Sequence, residues 1–183
     1  IRKYFFANSS PDYDKALSLL ALLEKEQGKD PLFGKMKTWA TNTKNSSKGK
    51  QLPTFTAYDL NGKLVSSADL SSAPVAVIYT WASFNYDSQE LQRELKRRQK
   101  KSNGRLKLMG FCLDASKYDC KQNIKRDSIT SPTICNGEML EDKTLNKLGL
   151  KSLPNIILLQ NGKIIARDMK KQELYSKLDE LLK

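Results

Sequence analysis

The chain of 183 residues contains no histidine. That absence removes Ser-His-Asp and Cys-His nucleophiles, imidazole metal ligands, and the one side chain whose ordinary pKa suits general base chemistry near neutrality. Cysteine is scarce: Cys112, Cys120 and Cys135 are the only three. The seven and fourteen residues between them fit neither C-x-x-C redox spacing nor a paired C-x-x-C zinc site, so the sequence implies no metal and no cofactor. The odd count leaves at least one free thiol in a monomer. No apolar run approaches the roughly 20 residues of a membrane-spanning helix. The chain opens on Ile1 with no charged-then-apolar leader, which is expected of a chain processed or trimmed at its N-terminus.

What is present describes an ordinary globular protein, 39% hydrophobic and 28% charged. The length suits one domain of about 100–150 residues plus an extension. The net charge of +12 is concentrated most in "QRELKRRQKKSNGRLK", Gln92 to Lys107. No aromatics interleave with that run at stacking spacing and no nucleic-acid-binding signature accompanies it, so it reads as a solvated helix face and no nucleic-acid partner is expected.

Ser10, Pro11 and Asp12 predict the start of a first helix, with an N-cap, a proline at the first position and an acid in the first turn, running to Gln27 before Gly28. Its leucines at 17, 19, 20, 22 and 23 predict extensive burial. Asp30 and Pro31 start a second helix. The polar stretch Thr41 to Lys50 reads as a linker, dividing an N-terminal helical extension (1–45) from a main domain (49–183). Asn61-Gly62 and Asn161-Gly162 predict tight hairpins in which both turn residues take positive φ. "APVAVIYTW", Ala73 to Trp81, is an apolar run suited to a strand buried on both faces, and "LKLMGFCLD", Leu106 to Asp114, is a second. Asp87 or Ser88 can cap the helix between them, which runs to Lys101. Further helices are expected over Ser116 to Asp127, Asp142 to Leu148 and the closing "KQELYSKLDELL". Two βαβ steps followed by a hairpin and a helix predict an α/β fold: a thioredoxin-like mixed sheet flanked by helices.

From Gly49 to Leu182 three blocks carry a specific resemblance. "GKQLPTFTAYDLNGKLVSSADL", "VAVIYTWASF" and "LGLKSLPNIILLQNGKII" resemble, in order, the "GK-P-F-DxxGKxVSLSDL", "VLLNFWASWC" and "YGVxGLPTTFLIDKDGKI" blocks of the TlpA/ResA type of thioredoxin-like proteins, related to the AhpC/TSA group. The resemblance implies a thiol-disulfide oxidoreductase ancestry and an extracytoplasmic place in the bacterial cell envelope or periplasm. It also places the vestigial active site: Trp81 and Ser83 flank the redox motif, Asn85 and Ser88 stand where its two cysteines would be, and Pro154 stands where a cis-proline faces them. Leu91 and Arg93 replace the acid and proline that often follow the second cysteine. The N-terminal helices resemble the end of a helical region preceding such domains, as a clasp or a remnant of a larger piece.

The replaced cysteines remove the family's chemistry. It needs a thiolate at a helix N-terminus, where the dipole and unpaired N–H groups lower the thiol pKa, and a second thiol to resolve the mixed disulfide. Asn85 has no ionisable proton, and the Ser88 hydroxyl would need an adjacent base; both are good capping residues, so the loop is expected to keep its shape. A peroxiredoxin-type cysteine is missing from the same loop. The expectation is therefore a redox-inactive binding or structural module whose partner is an extended peptide or envelope protein, docked near Pro154 with Phe84 and Tyr86 as groove walls and Trp81, at a strand end, either a third wall or a core residue. Cys112, in a buried strand, is expected to be an inert core residue. Cys120 and Cys135 fall on neighbouring elements, so a structural disulfide is one expectation and an oxidoreductase working through this pair is the alternative.

Overall fold

The computed structural model describes residues 12–28 and 30–183. Two helices, α1 (Tyr13–Gln27) and α2 (Pro31–Asn45), precede a hairpin of β1 (Thr56–Tyr58) and β2 (Leu64–Ser66). There follow α3 (Ser67–Ser71), β3 (Val75–Trp81), α4 (Tyr86–Lys101), β4 (Leu106–Cys112), α5 (Lys117–Arg126), β5 (Thr133–Ile134), α6 (Lys143–Lys147), β6 (Ile156–Gln160), β7 (Lys163–Arg167) and α7 (Lys171–Leu181). The main sheet has the order β5-β4-β3-β6-β7. Strands β3, β4 and β5 run parallel, while β6 and β7 are antiparallel to their neighbours. This is the mixed, helix-flanked sheet the sequence predicts.

Every residue of β3 is buried, because both faces of this central strand are covered. Leu70 of α3, Leu145 of α6 and Leu148 just after it pack on one face; Leu91 and Leu95 of α4 and Leu174 and Leu178 of α7 pack on the other. A run of β-branched and aromatic residues without polar alternation is what such two-sided burial requires. Among the described residues no helix is long and apolar enough to cross a membrane.

The N-terminal third departs from expectation in instructive ways. Asp12 caps α1 by accepting the Lys15 N–H at 2.9 Å, while Ser10 and Pro11 lie outside the described residues. Ala16 and Leu20 of α1 are fully buried, but Leu19 and Leu22 are exposed, because α1 packs chiefly against α2. Ion pairs join Asp14 to Lys44 at 2.5 Å and Glu24 to Lys37 at 2.6 Å, a pairing that makes the two helices antiparallel. The segment expected to be a linker is structured. Helix α2 continues to Asn45, Thr43 and Ser46 are buried, and the chain beyond is held by Gly49 N–H to Ile164 O at 2.8 Å and Leu52 N–H to Gly162 O at 3.0 Å. Polar composition misled here because those polar groups bond to the domain rather than to water. The two Asn-Gly turns also differ. Asn161 and Gly162 both take positive φ, closing a two-residue hairpin, whereas in the first loop only Gly62 does. There the Asp59 carboxylate gathers the N–H groups of Asn61 and Lys63 into a wider turn.

Candidate functional site

Strand β3 delivers the chain to the carboxyl edge of the sheet at Trp81, and α4 departs at Tyr86. The cap between them is Asn85, not Asp87 or Ser88. Asn85 is extended, and its Oδ1 accepts the Ser88 N–H at 2.8 Å. Asp87 and Ser88 already lie inside the helix, where their side chains no longer reach its free N–H groups. Ser88 is fully buried; its Oγ accepts the Ala82 N–H at 3.2 Å and donates to Asn85 O at 2.9 Å. Its partners among the described residues are all backbone groups, none basic enough to make it a nucleophile. Among residues 82 to 88 the structure presents no sulfur and one carboxylate, the exposed Asp87, which pairs with Lys171 at 2.5 Å.

Trp81 belongs to the core, fully buried against the α4 side of the sheet, and does not line a groove. Phe84 and Tyr86 do stand out from the loop, 69% and 75% exposed, with the Arg93 guanidinium 5.7 Å from the Tyr86 ring centre. Two polar residues that the sequence reading passed over hold the loop. Asp114, buried just past β4, accepts the Ser83 N–H at 2.8 Å, while its second oxygen has no partner among the described residues. Gln89 donates to Ser83 O and accepts from Arg126 at 2.9 Å. A charged residue directly after a buried strand was the one signal available for Asp114.

Pro154 arrives at the same edge through Thr80. The Thr80 N–H donates to Asn155 O at 3.0 Å, its Oγ1 donates to Ser152 O at 2.8 Å, and the Asn155 N–H donates back to Oγ1 at 2.7 Å. The Leu153–Pro154 peptide bond is cis. Beside Pro154 lies a cavity of about 290 Å³ whose other walls include Tyr13 of α1, Trp39 of α2, Lys151 and Asp168. The two N-terminal helices thus form one side of the groove beside Pro154. They are fastened there. The Asn42 side chain donates to Asn146 O at 2.9 Å, and Arg167 donates to the carbonyl of Ser46 at 2.8 Å and those of Leu148 and Gly149 at 3.3 Å.

The cysteines are not dispersed as their spacing suggests. Cys112 ends β4, Cys120 lies in α5 and Cys135 follows β5, yet their sulfurs all lie within 4.8 Å of one another, buried and unbonded as free thiols. Cys112 is the core residue expected, but it is not isolated, and the expected Cys120–Cys135 neighbours share the site with it. Donation to Cys120 and Cys135, together with burial, pushes the Cys112 thiol well up. For Cys120 the hydrogen bond from Cys112 pulls down, but that to Cys135 and burial outweigh it and the thiol is also raised. Cys135 alone is lowered, because Cys112 and Cys120 donate to it, with the Gly137 N–H and Lys117 adding to the effect. The cluster connects to the β3–α4 loop through Asp114, whose carbonyl lies 3.7 Å from Cys135 Sγ.

The architecture is that of the thioredoxin-like proteins. A solved thiol-disulfide oxidoreductase from Bacteroides fragilis matches with 30% identity and a TM-score of 0.63, covering 72% of this chain and 99% of that one. The C-terminal domain of a protein assigned as a thiol-disulfide oxidoreductase, from Bacteroides thetaiotaomicron, matches with 27% identity and a TM-score of 0.65, covering 75% and 97%. A thioredoxin domain from Bacteroides vulgatus, at 21% identity and a TM-score of 0.64, shares the fold over 75% of this chain and 99% of its own. No protein-family model matches the chain, and no curated protein does. On the identity and coverage of the Bacteroides fragilis structure, the chain belongs to the thioredoxin-like thiol-disulfide oxidoreductase family.

Proposed function

We propose that the chain is a redox-degenerate member of the TlpA/ResA type, acting outside the cytoplasm in the cell envelope as a binding or structural module. The observation that carries this reading is the state of Asn85 and Ser88. The side-chain amide and hydroxyl are both spent on backbone groups of the loop, so the loop keeps its shape with no group able to form or break an S–S bond. The envelope placement rests on the resemblance of the three sequence blocks. The division into a helical extension (1–45) and a thioredoxin-like domain (49–183) is part of the same proposal, with the helices as a clasp bordering the Pro154 groove. An extended peptide or envelope protein is the partner that groove suits, since an exposed backbone edge with side pockets recognises extended chain. Purified protein should not accelerate the reduction of insulin disulfides by dithiothreitol; turnover at the rate of an ordinary thioredoxin would overturn the reading.

One observation favours a second reading. The convergence of Cys120 and Cys135 with a third thiol supplies the sulfur that the loop lacks, as an oxidoreductase working through that pair would need. Thiol trapping across a range of glutathione potentials separates the two, because this reading requires a reversible two-electron step and the first requires none.

A further inference from the structure

Three separate elements bring every cysteine of the chain to one point. Cysteine is a common core filler, but filling a core does not require convergence, since isolated small apolar side chains would serve at each position. Convergence of three soft donors suits an occupant that takes three.

We infer that Cys112, Cys120 and Cys135 form a binding site for a single thiophilic d¹⁰ cation, held by three thiolate sulfurs. The donor set contains sulfur only, which selects zinc, copper(I) and similar ions over magnesium or calcium. The spacing fits. Metal–sulfur bonds of about 2.3 Å need sulfurs roughly 3.8–4.0 Å apart in trigonal or tetrahedral geometry. The present separations, at most 4.8 Å, are close to that. A disulfide demands about 2.05 Å and would strand the third thiol in the same pocket. There is also a way in: a cavity of about 600 Å³, walled by Lys117, Lys121 and Lys143 and by Asp59, Glu138 and Asp142, reaches Cys135. Each thiol still protonated gives its proton to solvent as its metal–sulfur bond forms, and no electron changes hands. Occupancy would bear on the β3–α4 loop through Asp114, which touches Cys135 with its carbonyl and holds Ser83 with its carboxylate.

The test is an anaerobic titration of fully reduced protein with Cd(II), and in a separate arm with Cu(I). Because the chain has no histidine and three cysteines, a thiolate-to-metal charge-transfer band can arise only here. The expected result is a band saturating at one ion per chain, with proton release and a rise of several degrees in Tm at saturating metal. Displacement of Cd(II) by Cu(I) at the same stoichiometry shows that both ions compete for the one thiolate site; Cu(I) bound in addition to Cd(II) overturns the single-ion assignment. Cys120→Ser should weaken Cd(II) binding by at least roughly tenfold. Should that variant fail to fold, the stoichiometry and Tm of the unmutated protein decide alone. Absence of the band, saturation at one ion per two chains, or an unmoved Tm overturns the inference.

Discussion

Asn85 Oδ1 accepts the backbone N–H of Ser88 at 2.8 Å, so the two positions proposed as vestigial are joined by a helix-capping hydrogen bond. The cap holds the β3–α4 loop in place through backbone groups alone. Asn85→Ala should cost about 1 kcal/mol of unfolding free energy, whereas Asn85→Asp should cost only a few tenths, since both residues cap and the carboxylate gains from the helix dipole. Urea denaturation of the three proteins checks this. Equal losses for both variants would show that the amide does more than cap.

Restoring sulfur tests the vestigial assignment directly. In Asn85→Cys with Ser88→Cys, the first thiol sits at the N-terminus of α4, where its pKa falls. Insulin reduction should rise roughly tenfold or more above the unmutated background. A folded double variant with no gain would mean that the geometry around Pro154 no longer supports exchange.

Gly149 and α2 offer a test of the docked helices. Gly149 has φ +67, and a β-carbon there would lie 2.8 Å from the Cα of Thr43. Gly149→Ala should therefore cost at least about 2 kcal/mol, combining left-handed backbone strain with displacement of α2. Trp39, on that helix, should report the shift in fluorescence. Gly34→Ala is the control: nothing lies within 4 Å of the added carbon, and the helix interior should gain about 0.5–1 kcal/mol.

Arg167 fastens the same junction from the other side. Its side chain is 6% exposed and donates to backbone carbonyls of Ser46, the residue that ends α2, and of the segment after α6. Arg167→Met keeps much of the volume but abandons those carbonyls, and should cost about 3 kcal/mol. Proteolysis should then cut first between residues 28 and 50, if the junction is what holds the clasp.

Asp127 sets an acid limit on stability. Burial alone would raise its pKa, but the guanidinium groups of Arg126 at 3.1 Å and Arg93 at 3.2 Å outweigh burial and hold it below the ordinary carboxylate value. A carboxyl with a lowered folded pKa contributes stability that is present above its unfolded pKa and is lost as pH falls through the folded one. The unmutated protein should lose stability as pH drops below about 4, and Asp127→Asn should flatten that part of the profile while lowering stability at pH 7. A variant with an unchanged acid profile would assign the loss to other carboxylates.

The sequence by itself determined the elements whose signals are local. The apolar run of β3 is long enough only for a strand covered on both faces. The Asn161-Gly162 turn carries its own backbone preference, and the missing sulfur at residues 82 to 88 is a fact of composition that no folding can change. Local chemistry alone does not choose the helix cap. Asp87 and Ser88 were as good capping residues as Asn85 on chemistry, and only the register of the first helical turn chose among them. The polar stretch after Ala40 looked unstructured because its hydrogen-bond partners, Asn146, Leu148 and Arg167, lie about a hundred residues away in the chain. Tertiary structure decided what depends on such distant pairings: α2 walls the Pro154 cavity, Trp81 faces inward, Asp114 holds the loop, and three cysteines with unpromising spacing meet. Spacing in a chain predicts proximity only within an element, and these contacts join different elements through the sheet.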